Sequence, residues 1–297
     1  MEQLIDMHTH TNYSDGELTP SELVELAIDK GITTLAITDH DTIQGIKKFK
    51  KEEYDKYKDK IRVINGIELS NKIDHGRLHI LGYDIDLDSD ILNGKMSLLK
   101  DNSTNSLLSI YEQVKKDYKI RFSHEEIKEL INSNHNLGRP DLAKLLMKHG
   151  YAVSVQDAFD KYLIDAFQKV RGEAKGLYYD ESIDLILLSG GIPVLAHPKS
   201  LKLNDKELRV FLEKLIACGL QGLEVYHSSH TKEEMEYYLY LANQYNLLVS
   251  GGSDYHGKIV KPDVELGTGV NNNLKIRQLS ILNRINKWYN LIRKDYV

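Results

Sequence analysis

Residues 4–42 read LIDMHTHTNYSDGELTPSELVELAIDKGITTLAITDHDT, and two short apolar runs separated by one amphipathic run decide the fold class. Leu4 to Met7 and Thr34 to Thr38 have the length and apolar character of buried strands. Between them, Thr19 is placed to cap a helix, Pro20 fits its first turn and Glu22 completes a capping box. Gly31 then stops the helix after Leu23, Leu26 and Ala27. Strand, helix, strand is the repeating unit of a parallel sheet with crossover helices.

Similar runs recur at Arg62 to Ile67, Leu78 to Tyr83, Ile192 to Ala196, Gly222 to Tyr226 and Leu247 to Ser250. Seven strands suit a closed barrel better than a small open sheet. Thr231 and Glu234 form a second capping box before a helix carrying Met235, Tyr238, Leu239 and Ala242. Asp180 opens another helix, through Ile183, Ile186 and Leu187, that Gly190 and Gly191 end. Between Tyr83 and Leu177 the strand pattern gives way to helical segments such as Met96 to Lys116 and Leu142 to His149. The reading is therefore α/β, with a barrel formed by residues 1–90 and 176–297 and a helical subdomain inserted at 91–175; the alternative is that the barrel's own connections make long excursions. From Asn273 onward, Ile276, Leu279, Leu282, Ile285 and Trp288 spell one amphipathic terminal helix.

A chain of 297 residues accommodates such a barrel with an insertion, and 41% apolar with 28% charged residues is an ordinary globular mixture. A formal charge of -5 without a long basic block argues against capture of extended duplex nucleic acid, while leaving room for a short nucleotide. The single cysteine, Cys218, excludes an internal disulfide or a thiolate metal cluster and reads as a small buried residue at a helix end. No signal-peptide pattern opens the chain and no run approaches the ~20 apolar residues of a membrane span, so no membrane contact and a cytoplasmic location are expected.

In Asp6-Met7-His8-Thr9-His10 the two imidazoles are two residues apart, so an extended strand end points both to one face, as a shared metal ion requires. With 12 histidines in the chain that spacing is weak by itself. It gains weight because comparable groups follow other apolar runs: Asp39 and His40, Glu68, His197, and Asp254 with His256. Ligands in parallel barrels bind at the carboxyl ends of strands, so these side chains would meet at one mouth. His79 lies inside a strand and reads on local grounds as an isolated imidazole, and Asp15 as a turn residue. Imidazole and carboxylate ligands without thiolate suit manganese, iron or zinc, and their number calls for two or three ions. Such ions clamp a phosphate and activate water for hydrolysis.

In series, His8-Thr9-His10, Ser14-Asp15-Gly16, Thr38-Asp39-His40-Asp41-Thr42, Gly66-Ile67-Glu68, Ala196-His197-Pro198 and Gly252-Ser253-Asp254-Tyr255-His256-Gly257 resemble the polymerase and histidinol phosphatase (PHP) family. The resemblance implies a distorted, TIM-like seven-stranded (β/α)7 barrel with a trinuclear centre. It assigns His8, His10, Glu68 and Asp254 to one ion, and Asp15, His40 and His256 to a second. His79 and His197, with bridging Glu68, go to a third. It thereby draws in His79 and Asp15. The helical insertion and Gly138-Arg139-Pro140 are similar to the branch of 3',5'-nucleoside bisphosphate phosphatases and 5'-3' exonucleases acting on short RNA. Asp141 departs from the histidine that often follows this motif, and residues 169–175 also depart from the common pattern.

The implied catalytic residues are His40, Asp254 and His197, with His197 or a metal-bound water as the site acid. Arg139, Arg171, Lys199 and His230 are candidates for holding substrate phosphate. The 18 tyrosines invite a base-stacking role for Tyr151, Tyr178 or Tyr179, but tyrosines are common where helices meet a barrel. Three other readings remain: a histidinol-phosphate-type phosphatase, an amidohydrolase, whose barrels also open with an HxH pair, and a non-catalytic nucleotide-sensing metal scaffold.

Overall fold

The computed structural model describes the backbone of residues 3–74, 76–133, 136–170 and 176–294, and side chains up to residue 287. Seven strands follow one another in chain order around a single sheet: β1 (Leu4–Asp6), β2 (Ile32–Ile37), β3 (Arg62–Asn71), β4 (Leu78–Tyr83), β5 (Ile192–Leu195), β6 (Gly222–His227) and β7 (Leu248–Gly252). They are the seven runs expected from the sequence. Neighbouring strands are parallel except at β4, which is antiparallel to both β3 and β5. A parallel crossover needs about a dozen residues. Only residues 72–77 separate β3 from β4, so the chain returns as a hairpin. This reversal is where the barrel departs from regular β/α alternation.

Backbone bonds close most of the ring between β1 and β7: Met7 N–H donates to the Gly251 carbonyl (3.2 Å) and Asp254 N–H to that of His8 (2.8 Å). The buried Asp6 carboxylate clasps the same seam, accepting from Ser253 N–H (2.8 Å), Ser253 Oγ (2.6 Å) and Gly267 N–H (2.8 Å). Burial pushes the Asp6 pKa up, and these donors offset part of that rise. The strands approach so closely that a Cβ on Gly252 would lie 2.3 Å from the His8 nitrogen, which only glycine permits.

Alternating strand residues face two cores. Leu35, Ile37, Leu195, Leu223 and Val225 point outward to helices α1 (Pro20–Asp29), α9 (Asp205–Ala217) and α10 (Lys232–Gln244), where Leu23, Leu212 and Leu241 meet them. Met7, Ala36, Ile64, Leu81 and Val194 form a second core with Ile276, Leu279, Leu282 and Ile285 of the terminal segment. The terminal helix, α11 (Ser280–Lys294), starts later than the apolar pattern suggested. The carbonyl of Ile276 accepts from Ile5 N–H (2.9 Å), so residues before 280 serve the edge of β1 instead. The side chain of Trp288 lies outside the described residues.

Helix α3 (Asp90–Tyr118) joins two regions. Its first half gives Leu92, Met96 and Leu99 to the outer barrel core. Its second half gives Leu107, Ile110 and Val114 to a separate cluster with Leu142 and Leu146 of α5 (Arg139–Lys148) and with Leu163 and Ala166. Asn136 fastens this helical region to the barrel mouth: its Nδ2 donates to the Asp41 carbonyl (2.6 Å) and its N–H to the Tyr13 carbonyl (3.0 Å). No helix among the described residues is long and apolar enough to cross a membrane.

Candidate metal centre

Every strand delivers a polar side chain to one end of the barrel. His8 and His10 follow β1, His40 follows β2, Glu68 lies in β3, His197 follows β5, and Asp254 and His256 follow β7. His79, the residue whose position inside a strand looked unpromising, is explained by the reversal of β4. An antiparallel strand starts at the mouth, and His79 lies near its start, opposite Ser70. The bend between Thr11 and Gly16 brings Asp15 in, and Asp39 sets that bend by accepting from Thr11 N–H (2.7 Å), Thr11 Oγ1 (2.7 Å) and Ser14 Oγ (2.8 Å).

Glu68 lies at the centre. Its Oε1 is 2.8 Å from His79 Nδ1 and 2.9 Å from His197 Nε2. Its Oε2 is within 3.1 to 3.2 Å of His8 Nε2, His10 Nε2 and His40 Nδ1. Donor atoms of His8, His10, Glu68 and Asp254 lie within 4.8 Å of one another, as do those of His10, Asp15, His40 and His256, and those of His40, Glu68 and His79. The structure thus brings together all nine residues singled out as metal ligands. It adds His10 to the Asp15 group and His40 to the His79 group.

Two further residues escaped the sequence reading. Glu224 and His227 are three apart in β6, so regular alternation would send them to opposite faces. The β6–β7 pairing slips by one residue between Glu224 and Tyr226, and this bulge turns both inward. Glu224 Oε1 is 2.9 Å from His8 Nδ1 and its Oε2 accepts from His197 N–H (2.7 Å). His227 Nδ1 accepts from Ser229 N–H (3.1 Å), so in the neutral ring Nε2 carries the proton and donates to Asp254 Oδ2 (3.2 Å). The recurrence of histidine at a strand end was the available signal for His227.

The donor set fits divalent ions. His8 gives its Nδ1 proton to Glu224, which leaves Nε2 facing Glu68. Ser200 Oγ donates to the Arg77 carbonyl (2.8 Å) and so accepts from His197 Nδ1 (2.8 Å), leaving Nε2 of His197 toward Glu68 as well. Both ring nitrogens of His10, Nδ1 of His40 and Oδ1 of Asp15 are buried with no hydrogen-bond partner. Buried polar atoms are rarely left so, and a cation would satisfy the lone-pair acceptors among them, one on each neutral imidazole. His197 (φ 24°) and Asp254 (φ 57°) hold left-handed backbone that costs about 1–3 kcal/mol at a non-glycine residue, the kind of strain that collects at functional sites.

Without ions the cluster compensates its own charge. Burial would lower the His10 pKa, but the Asp254 and Glu68 carboxylates 3.2 Å from its Nε2 raise it to about 9, and Glu224, Glu68 and Asp254 likewise hold His8 well above its ordinary value. Burial opposes ionisation of Glu68, yet the charge of His8 and the contact with His10 keep it well below the carboxylate range. Burial also lowers His40 to about 3 and His197 to about 4, so these rings are neutral. Glu224 is held at about 2 against burial by His8 and His227.

The four candidates for substrate contacts fare differently. Lys199 pairs with Glu234 (2.8 Å) and donates to the Ser229 carbonyl (3.0 Å), tying the turn after β5 to the start of α10. His230 is buried behind His227, its Nδ1 bonded to the Val225 carbonyl (2.9 Å) and its ring against Tyr238. Arg139 lies over the rings of Phe159 and Phe167 within the helical region. Arg171 and the rest of 171–175 lie outside the described residues. Asp141 caps the helix that Arg139 starts, its Oδ2 accepting from Gly138 N–H (2.8 Å).

The PHP domain model matches residues 6–218. The chain belongs to the PHP family. It is 31% identical over 269 residues to the 5'-3' exoribonuclease Rnm of Escherichia coli, covering 89% of this chain and 88% of that one. It is 30% identical to a phosphoribosyl 1,2-cyclic phosphate 1,2-diphosphodiesterase of Eggerthella lenta, over 85% of this chain and 94% of the relative. It is 26% identical to a 3',5'-nucleoside bisphosphate phosphatase of Chromobacterium violaceum, over 85% and 87%. Among solved structures, a metal-dependent phosphoesterase candidate from Bifidobacterium adolescentis superposes with a TM-score of 0.75 at 27% identity, over 91% of this chain and 94% of the other. These PHP relatives share hydrolysis of phosphate esters, and that is the enzyme class of this chain.

Proposed function

We propose that this PHP enzyme hydrolyses phosphate esters of nucleotides, as a 3',5'-nucleoside bisphosphate phosphatase or as a 5'-3' exonuclease on short RNA. The observation that carries the reading is the convergence on Glu68 of five imidazoles from around the barrel, with Asp15, Asp254 and His256 grouped against them and several buried atoms that a cation would satisfy. We assign two or three divalent ions, manganese, iron or zinc, to His8, His10, Glu68 and Asp254, to Asp15, His40 and His256, and to His79 and His197 with Glu68. Ions held there would supply Lewis acidity and water of lowered pKa beside the phosphorus. The protein's part is orientation. Glu224 and Ser200 fix the tautomers of His8 and His197, Asp39 holds the Asp15 bend, and His227 presents an N–H to Asp254.

We take residues 91–175 as a helical subdomain at the barrel mouth, supported by the cluster of Leu107, Leu142 and Leu146 and by the Asn136 anchor. A barrel mouth bordered this way would suit a small nucleotide or the end of a short strand. The relatives' printed activities differ in substrate while sharing ester hydrolysis, so substrate choice is what an experiment must decide.

The test is a phosphate-release panel on metal-loaded enzyme: 3',5'-bisphosphates, 5'-phosphorylated short RNA, a phosphoribosyl cyclic phosphate and histidinol phosphate, each with added manganese. Preference for either of the first two supports the proposal. Preference for the cyclic ester or for histidinol phosphate moves the substrate. Tight nucleotide binding without turnover, or cleavage of carbon–nitrogen bonds alone, overturns it.

A further inference from the structure

We propose that Lys261, on the turn after β7, is the cation that grips the phosphate of the substrate in this centre. The inference rests on the phosphoesterase reading and adds the residue that would recognise the dianion. A phosphate beside metal ions still presents oxygens that need a donor, and a lysine ammonium meets that need as a point charge. Of the candidates from the sequence, Lys199 is held by Glu234 and His230 is buried against Tyr238. Lys261 brings an ammonium to the cluster: its Nζ forms an ion pair with Oδ2 of Asp254.

The turn carrying Lys261 is built to hold that position. Lys261 N–H donates to the Gly257 carbonyl (3.0 Å), Val264 N–H to the Lys261 carbonyl (3.1 Å), and Lys258 Nζ to the Pro262 carbonyl (3.1 Å). Gly257 has φ +94°, and a Cβ there would lie 2.4 Å from the Cβ of Glu17, so the turn is seated directly on the loop that carries Asp15. The ammonium therefore sits between two ligand-bearing loops. The Lys261 side chain is 33% exposed, against 9% for Asp254, so it lies toward the solvent side of the cluster. With Asp254 committed to a bound ion, the lysine is left beside the oxygens of the phosphate.

Isothermal titration of inorganic phosphate into manganese-loaded protein tests this, with metal content measured on each sample. In Lys261→Gln, phosphate affinity should fall about tenfold or more, the loss expected for one charge-assisted bond. Metal content should be unchanged, and KM for the best substrate should rise by the same factor while kcat changes less. Lys261→Arg should keep affinity within about threefold, because charge is retained. The inference is overturned if Lys261→Gln binds phosphate as the wild type does, or if its affinity falls only in step with lost metal, since the lysine would then act only through Asp254. A wild-type protein that keeps its metals but neither binds phosphate nor cleaves any ester sinks the function reading itself.

Discussion

Glu224 and His8 are joined 2.9 Å apart in the middle of the sheet, and neither side chain is exposed to solvent. The carboxylate fixes which nitrogen of His8 bears the proton, and its second oxygen holds the strained backbone of His197. Glu224→Gln keeps the shape but cannot accept both bonds as a charge. Metal affinity should drop about 10- to 100-fold, the range seen when a partner of a liganding histidine is lost. Metal titration followed by calorimetry checks it, with circular dichroism showing an unchanged fold.

Stability of the metal-free protein should peak near pH 6.5. His10 is raised from 6.5 to about 9, so its ion pairs contribute fully below 6.5 and are lost as pH rises through about 9. His40 and His197 are lowered to about 3 and 4, so below 6.5 the unfolded chain takes up protons that the fold excludes, and stability falls toward those values. Urea midpoints from pH 4 to 9 should describe this maximum; a steady rise across the range would contradict it.

Metal uptake should also release protons at neutral pH, because His8 and His10 must become neutral to act as ligands. Calorimetry in two buffers of different ionisation enthalpy would show it, and affinity should weaken as pH is lowered from about 9.

Asp254→Ala and His40→Ala should each cut turnover by about a thousandfold or more, the order found when a group stabilising transition-state charge is removed. The fold should persist in both. Near wild-type turnover in either variant, with metal depletion verified, would end the proposed mechanism.

Gly252→Ala should destabilise the protein by about 1–3 kcal/mol, the usual cost of overpacking, because the added methyl would strike the backbone of His8 and the Asp6 carboxylate. Denaturant unfolding measures it. Asn136→Ala should cost about 1 kcal/mol locally. It should raise KM more than it lowers kcat, because it loosens the helical region from Asp41 while leaving only the backbone bond to Tyr13.

The seven strands were legible because each is a short apolar run between turn signals, and most ligands because they stand where such runs stop. What stayed hidden involved departures from regular period. His79 made sense as a mouth residue only once β4 was seen to run backward, a consequence of the short 72–77 link. Glu224 and His227 share a face only through the slipped pairing in β6. The apolar residues from 274 to 279 mimic a helix but are spent on the barrel's edge. Lys261 left no mark, because a lysine in a polar turn looks the same whether it faces water or a carboxylate.

The seam between β1 and β7 gives the enzyme an order of assembly. Met7 and Asp6 must wait for Gly251, Ser253 and Gly267, and Ile5 for Ile276, partners that the ribosome makes long after them. Contacts so distant in sequence form late in folding. His8 and His10 cannot join Asp254 and His256 until the chain has been made through β7 and the turn that follows it. A nascent chain therefore carries an incomplete centre until β7 and the turn after it have been made.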